Sequence, residues 1–192
     1  MEQPDIRFQF EQSPSQELTS EGSATVMWHS WRAWVSLAAG IILLGASAYS
    51  FYHIYIRPDH GPKGVLLSSP AFIVYCLILG VYSLARLFIL PEIRARKYMK
   101  RLEAVYKDPA GLTITYCFED DGYHSRTSDG AVINSAYDQI LAVYETPHGI
   151  ILQRKMHLFE SLDKSRIQGG TLPEFRSFLQ EKVPAAKFRW KS

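Results

Sequence analysis

The sequence predicts an α+β membrane protein: a two-helix transmembrane hairpin plus a small antiparallel β-sheet domain closed by a C-terminal helix. Three observations carry this expectation. Charge is segregated, since residues 34–90 hold only Arg57, Asp59, Lys63 and Arg86 as charged side chains. Two long apolar runs fill that stretch, joined by the short polar segment RPDHGPKG. Beyond residue 111 come short alternating runs separated by turn signals, the pattern of an antiparallel sheet. The expected division is an N-terminal cytoplasmic segment at 1–33 with a strand near 6–10, a transmembrane hairpin at 34–90 (34–56 and 65–90), a basic juxtamembrane helix at 91–110, and a cytoplasmic sheet domain at 111–192 whose last helix is 172–183.

The start of the chain alternates Ile6, Phe8 and Phe10 with polar residues. That is a strand signal, and the strand is expected to join the C-terminal sheet, making the hairpin an insertion in one domain. The polar stretch 13–22 reads as a loop and 23–33 as an interfacial lead-in. The first span, Trp34–Ile56, has no formally charged residue across its 23 positions. At about 1.5 Å per residue it reaches roughly 34 Å, enough for a hydrocarbon core of about 30 Å. Trp28, Trp31 and Trp34 flank one end, and Tyr49, Tyr52 and Tyr55 the other. Such amphipathic rings favour the headgroup level. Prolines and glycines in 57–64 predict a turn. The second span runs from Val65 through Ala85 to Leu90, with Pro70 in its first turns and Arg86 placed to snorkel to the interface. Small residues line each helix (Ser36, Gly40, Ser47; Cys76, Gly80, Ser83), and they predict close packing within the hairpin.

Arg94, Arg96, Lys97, Lys100 and Arg101 follow the second span, opposed by Glu92. The positive-inside bias places this side, and therefore both termini, in the cytoplasm. The same five bases are candidate contacts for anionic membrane lipids. A net charge of +2 gives no footprint for nucleic acid.

Helical spacing of Tyr98, Leu102, Val105 and Tyr106 continues the basic segment until Asp108-Pro109-Ala110-Gly111 stops it. Strands are expected at 112–118, 122–127, 131–134, 140–145, 150–155 and 157–163, each read as having one apolar face. Ser128-Asp129-Gly130 supplies a turn that tolerates positive φ, and Gly122 is expected to do the same in the turn before it. Thr171 and Glu174 form a capping box, with Pro173 in the first turn. Leu172, Phe175, Phe178, Leu179 and Val183 then make one apolar helix face.

Taken together, FEDDGYHSRT, SAYDQILAVYETPHGIIL and the terminal LPEFRSFLQEKV resemble the YcxB-like family of small bacterial membrane proteins. Tyr137, Ile140, Glu145 and Thr146 match its pattern; Glu119, Asp121 and Gly122 match with one extra acid; SLDKSRI departs from it where proline-lysine often follows the last strand. The resemblance implies this architecture and the bacterial inner membrane, and it implies no reaction. The small sheet closed by a helix is also similar to a pleckstrin-homology-type half-barrel, by analogy of fold alone.

No phosphate-loop, dinucleotide, zinc-protease or nucleophile-elbow motif occurs. The six histidines are scattered, and the two cysteines, Cys76 and Cys117, have no ligand spacing. The densest chemistry is Glu119-Asp120-Asp121 with His124. Successive strand residues face opposite ways, so these side chains are expected to diverge and form a charged turn. Catalytic, metal and cofactor residues are therefore expected to be none. The expected function is a non-enzymatic membrane protein whose cytoplasmic domain binds a partner or supports a membrane complex, with a protein or a second copy of the chain as the expected partner. The alternative is a toxin-immunity or other protective membrane protein.

Overall fold

The computed structural model describes residues 6–56, 69–106, 111–155 and 158–190. The turn expected at 57–64, the expected span residues 65–68 and the helix stop at 108–110 lie outside these. The described residues form an α+β fold with four α-helices and two sheets. The helices are α1 (Gln16–Trp28), α2 (Trp31–Phe51), α3 (Pro70–Val105) and α4 (Leu172–Lys182). The strands are β1 (Phe8–Gln12), β2 (Ile114–Phe118), β3 (Tyr123–Thr127), β4 (Val132–Ser135), β5 (Ile140–Glu145), β6 (Gly149–Arg154), β7 (Phe159–Asp163), β8 (Ile167–Gln168) and β9 (Lys187–Arg189). Two compact units result: Met1–Val26 with Glu92–Ser192, and Met27–Pro91.

In the first unit the strands form two sheets rather than one. The order is β4-β3-β2-β1-β8 in one and β7-β6-β5-β9 in the other. β1 pairs antiparallel with β2, setting Phe8 opposite Phe118 and Phe10 opposite Tyr116. The N-terminal strand is thus an interior strand of the first sheet, and the segment 27–91 is an insertion in this domain. Among the described residues six of the seven strand pairings are antiparallel, and the seventh sets β9 parallel to β5; β8 and β9 were not anticipated. Gln12 links the sheets at one edge: its Nε2 donates to the Ser161 carbonyl at 2.6 Å and its Oε1 accepts from the Asp163 amide at 2.6 Å.

The space between the sheets is filled from β1, β2 and α4. Phe10, Phe118 and Phe175 are fully buried, with ring centroids 4.9–5.9 Å apart in edge-to-face contacts. Ile150, Leu152, Leu162 and Leu179 complete this core. α4 forms where the capping pair was expected: the Glu174 carboxylate accepts from the Thr171 amide at 2.6 Å and from its hydroxyl at 2.8 Å.

The one-sided reading fails for β5 and β6. Ile150, Ile151 and Leu152 are consecutive and all fully buried. The second face is covered by α1, where a loop was expected. Ala142, Tyr144 and Ile151 pack there with Val26 and Phe159. Gly22 lies so close to the sheet that an added Cβ would sit 2.5 Å from Phe159 Cε2 and 2.6 Å from Ser161 Oγ.

The second unit consists of α2 with the first part of α3. α3 runs continuously through Pro91, so the second expected span and the basic helix are one element. α2 is followed by a π-helical turn, Tyr52–Ile56. Gly40 and Gly80 bring the two backbones together: a Cβ on Gly80 would meet Leu44 Cγ at 2.8 Å and the Gly40 carbonyl at 3.2 Å. Ser47 Oγ donates to the Ile73 carbonyl at 3.1 Å. Both helices are long and apolar enough to cross a membrane, Trp31–Ile56 with 26 residues and Pro70–Val105 with 36. Only 17% of the most apolar window of each is buried.

Candidate functional site

The basic residues form an arc on α3. Arg94, Arg96, Lys97, Lys100 and Arg101 are all exposed. At about 100° per residue they fall within roughly 160° of the helix circumference. Ala95 and Pro91 are buried on the opposite side, with Met99 and Leu102 half-buried. Arg96 holds Glu92 at 2.6 Å, one turn back. Arg94, Lys97, Lys100 and Arg101 have no acidic partner among the described residues.

The acidic cluster is pulled apart by its surroundings. Glu119 lies 3.3 Å from His124 Nδ1, both half-buried. Asp120 points instead to Lys182 Nζ at 2.8 Å and Arg7 at 3.5 Å. The Lys182 hydrogen bond, helped by its charge and that of Arg7, holds the Asp120 carboxyl below the usual range. Asp121 is exposed. Arg7, Phe8, Asp120, Phe178 and Lys182 line an open recess of about 360 Å³ at this tip. Gly122 does not take positive φ, as had been expected; that conformation belongs to Gly130 and Gly169. What Gly122 provides is close approach, since a Cβ there would lie 3.0 Å from the Ser135 carbonyl.

The residues that carry the family resemblance act as fasteners. The buried Tyr137 donates its hydroxyl to the Glu119 carbonyl at 2.6 Å, tying the β4–β5 connection to the end of β2. Burial pushes that hydroxyl's pKa up. Ile140 is in the core. The Glu145 side chain is 5% exposed and is held by Lys164 Nζ at 3.2 Å and by Arg176. It thus joins β5, the β7–β8 connection and α4. Arg176 also lies over the Trp190 ring at 5.5 Å. Thr146 Oγ1 donates to Glu21 at 2.8 Å and accepts from the Gly149 amide at 3.0 Å. His148 Nδ1 is 3.0 Å from the same Glu21, so α1 is fixed to the β5–β6 turn.

A further ion pair was not foreseen. Arg154 holds Glu160 at 2.9 Å and Gln139 at 2.5 Å, with both charged side chains 17% exposed. Tyr116 and Tyr123 are buried close by, and burial first, then the Glu160 charge, raises both phenol pKa values. The sequence masks this pair, because Arg154 closes β6 and Glu160 lies near the start of β7, positions where a charged side chain is expected to be exposed.

No family model matches the sequence, and no curated protein matches it significantly. Among solved structures, the chain is similar to one described as "Structure of the Spt16D Pob3N heterodimer", with a TM-score of 0.30 and 7% identity. The match covers 43% of this chain and 49% of that one, so it spans about half of the solved chain's length.

Proposed function

We propose that this chain is a non-enzymatic integral membrane protein of the bacterial inner membrane. Its two helices cross the bilayer, both termini lie in the cytoplasm, and the folded domain there binds a protein partner. The observation that carries the reading is the apolar surface of α2 and α3. Ile41, Ile42, Val74, Leu77, Ile78, Val81 and Phe88 are each at least half exposed, while the buried positions of the apolar segments are few and mostly small: Ala33, Gly40, Ser47, Ser50, Cys76 and Gly80, with Leu87. A soluble protein rarely leaves so large an apolar surface uncovered, and the core helix of a soluble domain would be mostly buried. The inside orientation is supported by the basic arc on α3.

The non-enzymatic part of the reading is supported by how the polar residues are used. Glu119, Asp120, Glu145 and Glu160 are each engaged by a base of the same domain, and the residues shared with the YcxB-like pattern fasten elements together. The resemblance and the half-barrel analogy fit this reading. Alkaline carbonate extraction of membranes carrying the full chain tests it. The chain is expected to stay with the lipid pellet, and release into the supernatant would overturn the proposal.

A further inference from the structure

We infer that the basic arc of α3 is a docking surface for anionic phospholipid headgroups, which holds the helix segment beyond the second span against the inner leaflet. This rests on the membrane reading above and adds the partner of one surface. Three observations converge. Arg94, Lys97, Lys100 and Arg101 are exposed cations without an acidic partner among the described residues. They lie in the same unbroken helix as the apolar segment, the first only four residues after Leu90. The arc also includes Ile93, an apolar side chain 43% exposed at its membrane-proximal end. Phosphate-facing cations beside an exposed aliphatic group match the chemistry of an interface, where charge meets headgroups and the aliphatic group meets acyl chains.

The helix geometry orders these residues. Arg94, Lys97 and Arg101 follow i, i+3, i+7 spacing and form one row, with about 10 Å of axial rise between its ends. Arg96 and Lys100 form a second row at i, i+4. Glu92 and Glu103 flank that second row, and Arg96 is already held by Glu92. The first row is therefore the stronger contributor. A basic residue near an anionic surface contributes about fivefold in partitioning, so removing the whole row is worth roughly 100-fold.

The test uses the full chain in nanodiscs of phosphatidylcholine, alone or with 30 mol% phosphatidylglycerol. An environment-sensitive dye is placed through Ala104→Cys, a neutral exposed position within the arc. Phosphatidylglycerol is expected to shift the dye emission to the blue. The shift is expected to vanish in 1 M salt, where the screening length falls to about 3 Å, and in R94Q/K97Q/R101Q. These surface substitutions leave packed positions untouched. An unchanged emission in a chain that elutes with lipid overturns this inference and leaves the membrane reading standing. A chain that does not elute with lipid overturns both. A shift elicited by soluble polyglutamate but not by phosphatidylglycerol assigns the arc to an acidic protein and also overturns it.

Discussion

Replacing Phe10 with alanine should destabilise a domain whose other strands begin more than one hundred residues further along the chain. Phe10 is fully buried in β1, and its ring meets Phe118 at 5.9 Å and Phe175 at 4.9 Å. Truncating a buried phenylalanine to alanine costs about 3–5 kcal/mol, in which edge-to-face ring contacts contribute about 0.5–1.5 kcal/mol each. The upper half of that range applies here, because Phe118 and Phe175 belong to a strand and a helix that cannot both collapse into the vacated space. With a urea slope of about 2 kcal/mol/M, the midpoint should fall by roughly 2 M. Pulse proteolysis of the detergent-solubilised full chain, following the C-terminal fragment across a urea series, reads this directly. Phe51→Ala serves as control, since that ring is 50% exposed on α2 and should leave the midpoint unmoved. A midpoint for Phe10→Ala within about 0.3 M of the parent would show that β1 is not part of the folded domain.

Gly22→Val should cost about 1–3 kcal/mol by the same assay, because its side chain must enter the space of the Phe159 ring. Glu145→Gln leaves Lys164 and Arg176 without their shared, buried carboxylate, and a loss of about 2–3 kcal/mol is expected. Asp120→Asn tests a pH dependence. Its carboxyl is held below the ordinary range, so its contribution is present above the unfolded pKa and lost as pH falls through the folded one. The small stability gap between parent and variant, measured by thermal melting, should therefore be constant near neutrality and close below about pH 4. Gly80→Ile should separate α2 from α3, so a disulfide between cysteines introduced at Ser47 and Ile73 should form in the parent background and fail in the variant.

The six strands from β2 to β7 were legible because their apolar runs are divided by turn chemistry: Gly130 takes the positive φ its Asp-Gly turn called for. β1 was legible for the same reason, since Phe8 and Phe10 share a face. α1 was not. Its packed face is Leu18, Gly22, Ser23 and Val26, and the sheet is met by small residues that carry almost no apolar signal. The cover it provides also explains the misreading of β5 and β6, whose near-continuous apolar runs are what a strand buried on both faces requires. β9 is three residues long and parallel to β5, a pairing set by the path of the chain after α4. Glu119 and Asp120 do diverge, but in the connection after β2 and not by alternation along a strand; their partners, His124, Lys182 and Arg7, are set by packing between elements.

The proposed membrane hairpin is tested most directly by cysteine labelling in intact cells with an impermeant maleimide, using Asp59→Cys in the polar segment between the two apolar runs and Asp121→Cys at an exposed position of the folded domain. Position 59 should label from outside, and position 121 only after the inner membrane is permeabilised. Labelling of both from the same side would contradict the account.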